Sequence, residues 1–176
     1  MPQASAIQFQ DAIAFLEKTP KLLETMLAGT AEETLTWKPA PDRWSIAEVL
    51  AHLAALETFC GQRVQRMATE DSPLLEKYDP QRASPEGREA QADAEASLAA
   101  YTEVRQGTLA FLSMVPPTAG ERTARHAELG LITLSELLHE MACHDLGHLR
   151  QIAELYRARE FHPYAGPFQK YSNPKP

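Results

Sequence analysis

Four things are scarce in this chain of 176 residues, and each scarcity removes a class of answer. Cysteine occurs only at Cys60 and Cys143, with no C-x-x-C spacing, so neither a disulfide framework nor a zinc knuckle is expected and both read as reduced packing residues. Long apolar runs are missing, since no stretch approaches ~18 consecutive apolar residues, and no membrane span is expected. Met1 to Ser5 carries neither the basic nor the hydrophobic part of a signal peptide, which leads to the expectation of a cytoplasmic protein. Positive charge is in deficit, with a net charge of −7 where a nucleic-acid binder would show a basic stripe, so no nucleic-acid partner is expected. Period-two alternation is also missing, which points to an all-α chain.

What remains is ordinary for a globular protein: 44% hydrophobic and 23% charged residues, enough for one domain over residues 1–176 with a core of its own. The helical spacing falls into four runs. The first extends from an S-x-x-Q start at Ser5 to Gly29, with Pro20 either kinking one helix or starting a second with Thr19 as N-cap. The second starts at an S-x-x-E capping box, Ser45 and Glu48, with Trp44 and Val49 placed as a hydrophobic staple, and runs to about Ala68. A connection from Glu70 to Ala83 is long enough to cross a bundle, and Ser84 and Pro85 then supply cap and first turn for a third helix ending near Met114. Thr118 to Ile132 reads as a loop, and the tail after Arg159 as irregular chain lying back on the bundle or on a partner.

The fourth run carries the chemistry. From Thr133 to Arg157, apolar residues recur at Leu134, Leu137, Leu138, Met141, Ile152 and Leu155, and Thr133 with Glu136 forms a second capping box. His144 and His148 are four residues apart, about 40° round the wheel, so both imidazoles leave one side of the helix and can close on one metal ion. Gln151 shares that side. A third ligand must come from a facing helix, and His52, at the edge of the buried stripe of the second helix, supplies it. Three imidazoles leave a divalent ion an open position, as catalytic sites do, and suit Zn, Ni, Fe or Cu over Mg or Ca.

Rival patterns are weaker. H-D-x-x-H resembles the zinc-protease motif, but Asp145 is shorter than its glutamate and no later ligand follows. Glu136 and His139 make one E-x-x-H where a di-iron bundle needs two. Asp145 faces the apolar arc and must be paired, either in support of the metal or with an indole or arginine near Trp37, Arg43 or Trp44. Glu48 is spent on its capping box, with a second role orienting His52 left open. His126 and His162 read as solvated loop residues. Arg122 and Arg125 reach a bound anion only if their loop folds over the site, and otherwise read as surface arginines.

W-S-x-x-E-x-x-x-H-L at Trp44 to Leu53, L-T-L-x-E-L-L at Leu131 to Leu138 and H-D-L-x-H-L-x-Q-I at His144 to Ile152 resemble the DinB-like family, also known as YfiT-like metal-dependent hydrolases. The resemblance implies a four-helix bundle with a long crossover, a homodimer, and one divalent transition metal, Zn or Ni with Fe as an alternative, on His52, His144 and His148. Relatives of this kind act on small molecules as thiol S-transferases or thiol-dependent isomerases. The expected reaction joins a low-molecular-weight thiol to a small electrophile. A metal-dependent hydrolase, a thiol-dependent isomerase and a non-catalytic, metal-stabilised interaction module are the alternatives.

Overall fold

The computed structural model describes residues 2–79 and 92–176, with side chains from residue 9 onward. Pro20 splits the first helical run into α1 (Pro2–Leu16) and α2 (Thr19–Leu27). A proline has no N–H to give the carbonyl four residues back, which here is that of Leu16, so the helix must break or find a substitute donor. It does both: the second helix starts at Lys18 as N-cap, and the Leu16 carbonyl accepts from Arg105 Nη1 at 3.1 Å. Thr19 is the first helical residue and not the cap, and α1 begins at Pro2, ahead of the Ser5 start expected from the sequence.

A single turn, α3 (Glu32–Leu35), leads to α4 (Ile46–Thr69), whose capping box forms as expected, with Ser45 Oγ accepting from Glu48 N–H at 3.2 Å and Glu48 Oε2 from Ser45 N–H at 2.7 Å. After β1 (Leu74–Leu75) the chain reaches α5 (Ala94–Ser113), which Asp93 caps through a 2.9 Å bond from Ala96 N–H. Asp93 precedes the first helical turn of α5, so the helix does not run unbroken from Pro85; the expected start at Ser84 and Pro85 lies outside the described residues. The last long helix, α6 (Leu134–Tyr156), opens on the second capping box, with Thr133 Oγ1 accepting from Glu136 N–H at 3.2 Å. Helix α4 packs along α5 and against α6, and α1 packs against α6, which closes the four-helix bundle.

Two readings of the sequence are corrected. The segment expected as a loop forms β2 (Thr123–His126) and β3 (Gly130–Thr133), an antiparallel hairpin joined in parallel to β1. Its three-residue turn closes on Gly130 at φ 78°, a left-handed conformation that glycine adopts without cost. Each strand is too short to show alternation, so tertiary pairing and not local pattern makes the sheet. The tail does form structure, a π turn at Arg157–Phe161 and 3-10 turns at His162–Tyr164 and Gly166–Tyr171, and it folds back on the bundle with Lys175 N–H on Glu154 Oε2 at 2.8 Å.

The core is in two parts. One end gathers Phe9, Leu16, Val64, Met67, Leu112, Leu134 and Leu138; the other gathers Leu23, Ile46, Leu50, Leu53, Tyr101, Ile152 and Leu155. Following each long helix, the residue between the two clusters is charged: Glu57 on α4, Arg105 on α5 and Asp145 on α6. The histidines sit against this polar layer.

Candidate metal centre

α4 delivers His52 and α6 delivers His144 and His148 to one point. The ring nitrogens of the three lie within 4.8 Å of one another, and among the described residues no other group of His, Cys, Asp or Glu side chains meets that spacing. His144 Nε2 is 3.2 Å from His52 Nε2 and 3.1 Å from His148 Nε2. One imidazole nitrogen carries either one proton or one lone pair in the ring plane, so His144 Nε2 cannot make good hydrogen bonds to both neighbours at once. Three nitrogens at about 2.0–2.1 Å from a tetrahedral ion would be about 3.3 Å apart, close to what is seen. The spacing is that of a ligand set.

The neighbours keep the nitrogens ready. Gln151 Oε1 lies 2.9 Å from His148 Nδ1; an amide oxygen only accepts, so Nδ1 carries the proton and Nε2 keeps its lone pair for the centre. Gln151, which shares the histidines' side of the helix, thus orients His148. Burial, then the charge of the other imidazoles, pulls His52 down to about 4. Burial and then His148 pull His144 down to about 4, with Asp145 opposing and Arg105 adding. His148 is lowered by burial too, against the Gln151 hydrogen bond and the Asp145 charge. All three are therefore neutral donors near pH 7. Trp44 walls the group, 5.0 Å from the His52 ring and stacked on His148 at 6.4 Å, and Tyr78 meets His52 edge-on at 6.3 Å.

Beneath His144 lies the charged layer. Arg105 donates from Nε and Nη2 to Glu57 at 2.9 and 2.7 Å, and from Nη1 to Asp145 at 2.9 Å and to the Leu16 carbonyl, with Nη2 3.4 Å from the second Asp145 oxygen. All five guanidinium N–H groups are thereby used. Tyr101 Oη adds a 3.0 Å bond to Asp145 Oδ2. Burial alone would lower the Arg105 pKa, but the Glu57 hydrogen bonds and the Asp145 and Glu57 charges outweigh it and hold the guanidinium charged. Asp145 is paired, as its place on the apolar arc required; its partners are Arg105 and Tyr101, and not Trp37, Arg43 or Trp44. Glu57 and Arg105 were not singled out from the sequence, although the spacings Leu53, Glu57, Cys60 and Tyr101, Arg105, Thr108 put an acid and a base on two buried stripes. That is the signal that could have found them.

Other candidates fall elsewhere. Glu48 accepts Lys38 Nζ at 2.7 Å besides its capping bond, and no bond to His52 is seen. Arg122 closes the end of α4, donating to the Met67 and Glu70 carbonyls, and Arg125 lies exposed on β2, so neither reaches the histidines. His139 bonds the Ser135 carbonyl on the exposed side of α6. His126 is not a solvated loop residue but stands on β2 beside Arg63. An open cleft of about 470 Å³ leads from there to His144, lined among others by Leu56, Leu137 and Met141.

The helical bundle has known counterparts. A family model described as the DinB superfamily matches residues 16–152. The chain belongs to the DinB superfamily. A candidate metal-dependent hydrolase of Oceanobacillus iheyensis is 25% identical over 146 residues, covering 83% of this chain and 84% of that protein. YfiT from Bacillus subtilis, reported as a candidate metal-dependent hydrolase with an unusual four-helix bundle topology, superposes with a TM-score of 0.76 at 25% identity, over 85% of this chain and 86% of that one. Together with the triad, these relatives support a metal-binding member of the superfamily. Among the described residues no helix is long and apolar enough to cross a membrane.

Proposed function

We propose that this DinB-superfamily protein is a metal-dependent hydrolase of small molecules, with one divalent transition metal, Zn or Ni by donor type and Fe as the alternative, held by His52, His144 and His148. The observation that carries it is the convergence of three neutral Nε2 atoms beside a cleft that includes His144 in its wall. A divalent ion held by these three residues would supply Lewis acidity, which polarises a carbonyl and lowers the pKa of a water or thiol. The chain does the rest. Trp44 and Tyr78 pack around the imidazoles and limit access of bulk water from their side. Glu140, one turn before His144 and lining the same cleft, is the carboxylate this reading assigns to take a proton from the attacking group. Both relatives are candidate metal-dependent hydrolases, which supports hydrolysis.

Thiol transfer is the second reading, and one feature favours it: His52, His144 and His148 are neutral donors with no carboxylate among them, a set that would leave a bound cation's charge unoffset and so suit activation of a thiol. Exposed Leu131, Phe161 and Phe168 support the homodimer implied by the family, and light scattering reads the mass directly.

The metal assignment is tested on chelator-treated protein reloaded with Zn or Ni. Uptake should be near one ion per chain, and the melting temperature should rise, by about 4 kcal/mol of stabilisation when free metal is a thousandfold above Kd. Full uptake by the H144A/H148A double variant would rule the ligand set out. The reaction is tested by offering the loaded protein simple esters and amides with and without glutathione, bacillithiol or mycothiol. Thiol-independent turnover lost in H52A supports the hydrolase; turnover only with a thiol supports the transferase and overturns the hydrolase. Glu140→Gln should keep its metal and lose activity by about 10²-fold or more.

A further inference from the structure

The cleft that begins at His144 ends on a pair of hydrogen-bond donors that face each other. His126 Nδ1 accepts the backbone N–H groups of Glu128 at 3.2 Å and Leu129 at 3.3 Å, two of the three residues that turn the β2–β3 hairpin. Backbone donors held in a tight turn cannot swing away, so Nδ1 is the unprotonated nitrogen, and a neutral ring then carries its proton on Nε2. Burial and the nearby Arg63 charge, in that order, hold His126 below its ordinary pKa, consistent with a neutral ring. Arg63 Nη2 lies 3.3 Å from that same Nε2. Guanidinium nitrogens only donate, so two N–H groups approach one another with no acceptor of their own between them. Arg63 is fixed there: its guanidinium stacks on Phe59 at 4.2 Å, and it donates to the Glu76 carbonyl. Among the described residues no ion pair joins Arg63 or His126 to a carboxylate; the Glu128 charge, which opposes the lowering of His126, is taken up by Lys77 at 2.6 Å.

We infer that Arg63 and His126 form the specificity subsite of the cleft, binding the carboxylate of a small apolar monoacid whose other end reaches the histidine triad. A carboxylate oxygen placed between Nη2 and Nε2 accepts from both and removes the conflict. The charge argues for a monoanion: the subsite holds one guanidinium and one neutral imidazole, while Glu136 and Glu140 line the same cleft and would repel a doubly charged phosphate. The walls argue for an apolar body, since Leu56, Ile132, Leu137 and Met141 line the cleft along with its two ends. Arg63 is thus the arginine that the sequence sought in Arg122 and Arg125, and it comes from α4, where its stem runs beside the cleft.

This rests on the metal reading only for what happens at the far end, so the test uses metal-free protein. Hexanoate and hexanamide, equal in length and differing in charge, are titrated into the full chain while the His126 ring resonances are followed by NMR. Hexanoate should shift them saturably, and hexanamide should bind about tenfold more weakly or worse. R63M, which keeps the apolar stem, and H126F, which keeps the ring volume, should each weaken hexanoate about tenfold. Equal binding of acid and amide, hexanoate affinity unchanged in both variants, or no binding of hexanoate would overturn the subsite. Zn uptake measured on the same samples reads the metal assignment independently: its failure with hexanoate binding intact would refute the metal site and leave the subsite standing.

Discussion

At the scale of single residues, the side chains that decide the site's surroundings are charged groups in places where charge is costly. Arg105 and Glu57 are 1% and 3% exposed, and Asp145 is 3% exposed. Removing the one cation would leave two buried carboxylates facing each other, so Arg105→Met should cost about 3–5 kcal/mol in urea denaturation. A loss under about 1 kcal/mol would mean the layer is worth no more than a surface pair. The two cysteines, expected to be alike, are not. Cys60 is buried and its thiol is pushed up to about 12, first by burial and then by Glu57, whereas Cys143 is exposed on α6. Native protein should therefore give one thiol to Ellman's reagent, and C143S should give none until it is unfolded.

Among the elements, α6 holds two of the three histidines and its start is set by one cap. Thr133 accepts from Glu136 N–H, and Glu136 Oε2 accepts from Thr133 N–H at 2.7 Å, so two of the helix's orphan donors are satisfied together. Thr133→Ala should lower stability by about 1 kcal/mol, seen as a fall in melting temperature, and an unchanged melting temperature would show that β3 alone fixes the start of α6. Both capping boxes, and hence the facing helices that carry the three histidines, were legible because a cap depends on four consecutive residues. The hairpin was not legible, because strands of four residues have no pattern to show, and neither was the Asp93 cap of α5, since Asp-x-x-Ala lacks the reciprocal glutamate.

For the whole molecule, the three histidines tie folding to pH. His52 and His144 sit at about 4 in the folded chain, against about 6.5 in the unfolded chain. Between those values the unfolded state binds protons that the folded state refuses, so metal-free protein should keep its stability above pH 7 and lose it as pH falls from about 6.5 to about 4. Thermal melts across that window check the sign, and H52Q/H144Q should flatten the dependence; a wild-type melting temperature that does not fall from pH 7 to pH 4.5 would contradict it. The four-helix-bundle class, the two long capped helices and the identity of the three converging histidines were written in the chain itself, because hydrophobic period, capping and i, i+4 spacing are local and act within a few residues. Which arginine meets Asp145, which one ends in the cleft beside His126, and that Gln151 orients His148 were decided by tertiary structure alone. A side chain's partner across a bundle depends on the rotation and register of two packed helices, and no window of sequence contains both.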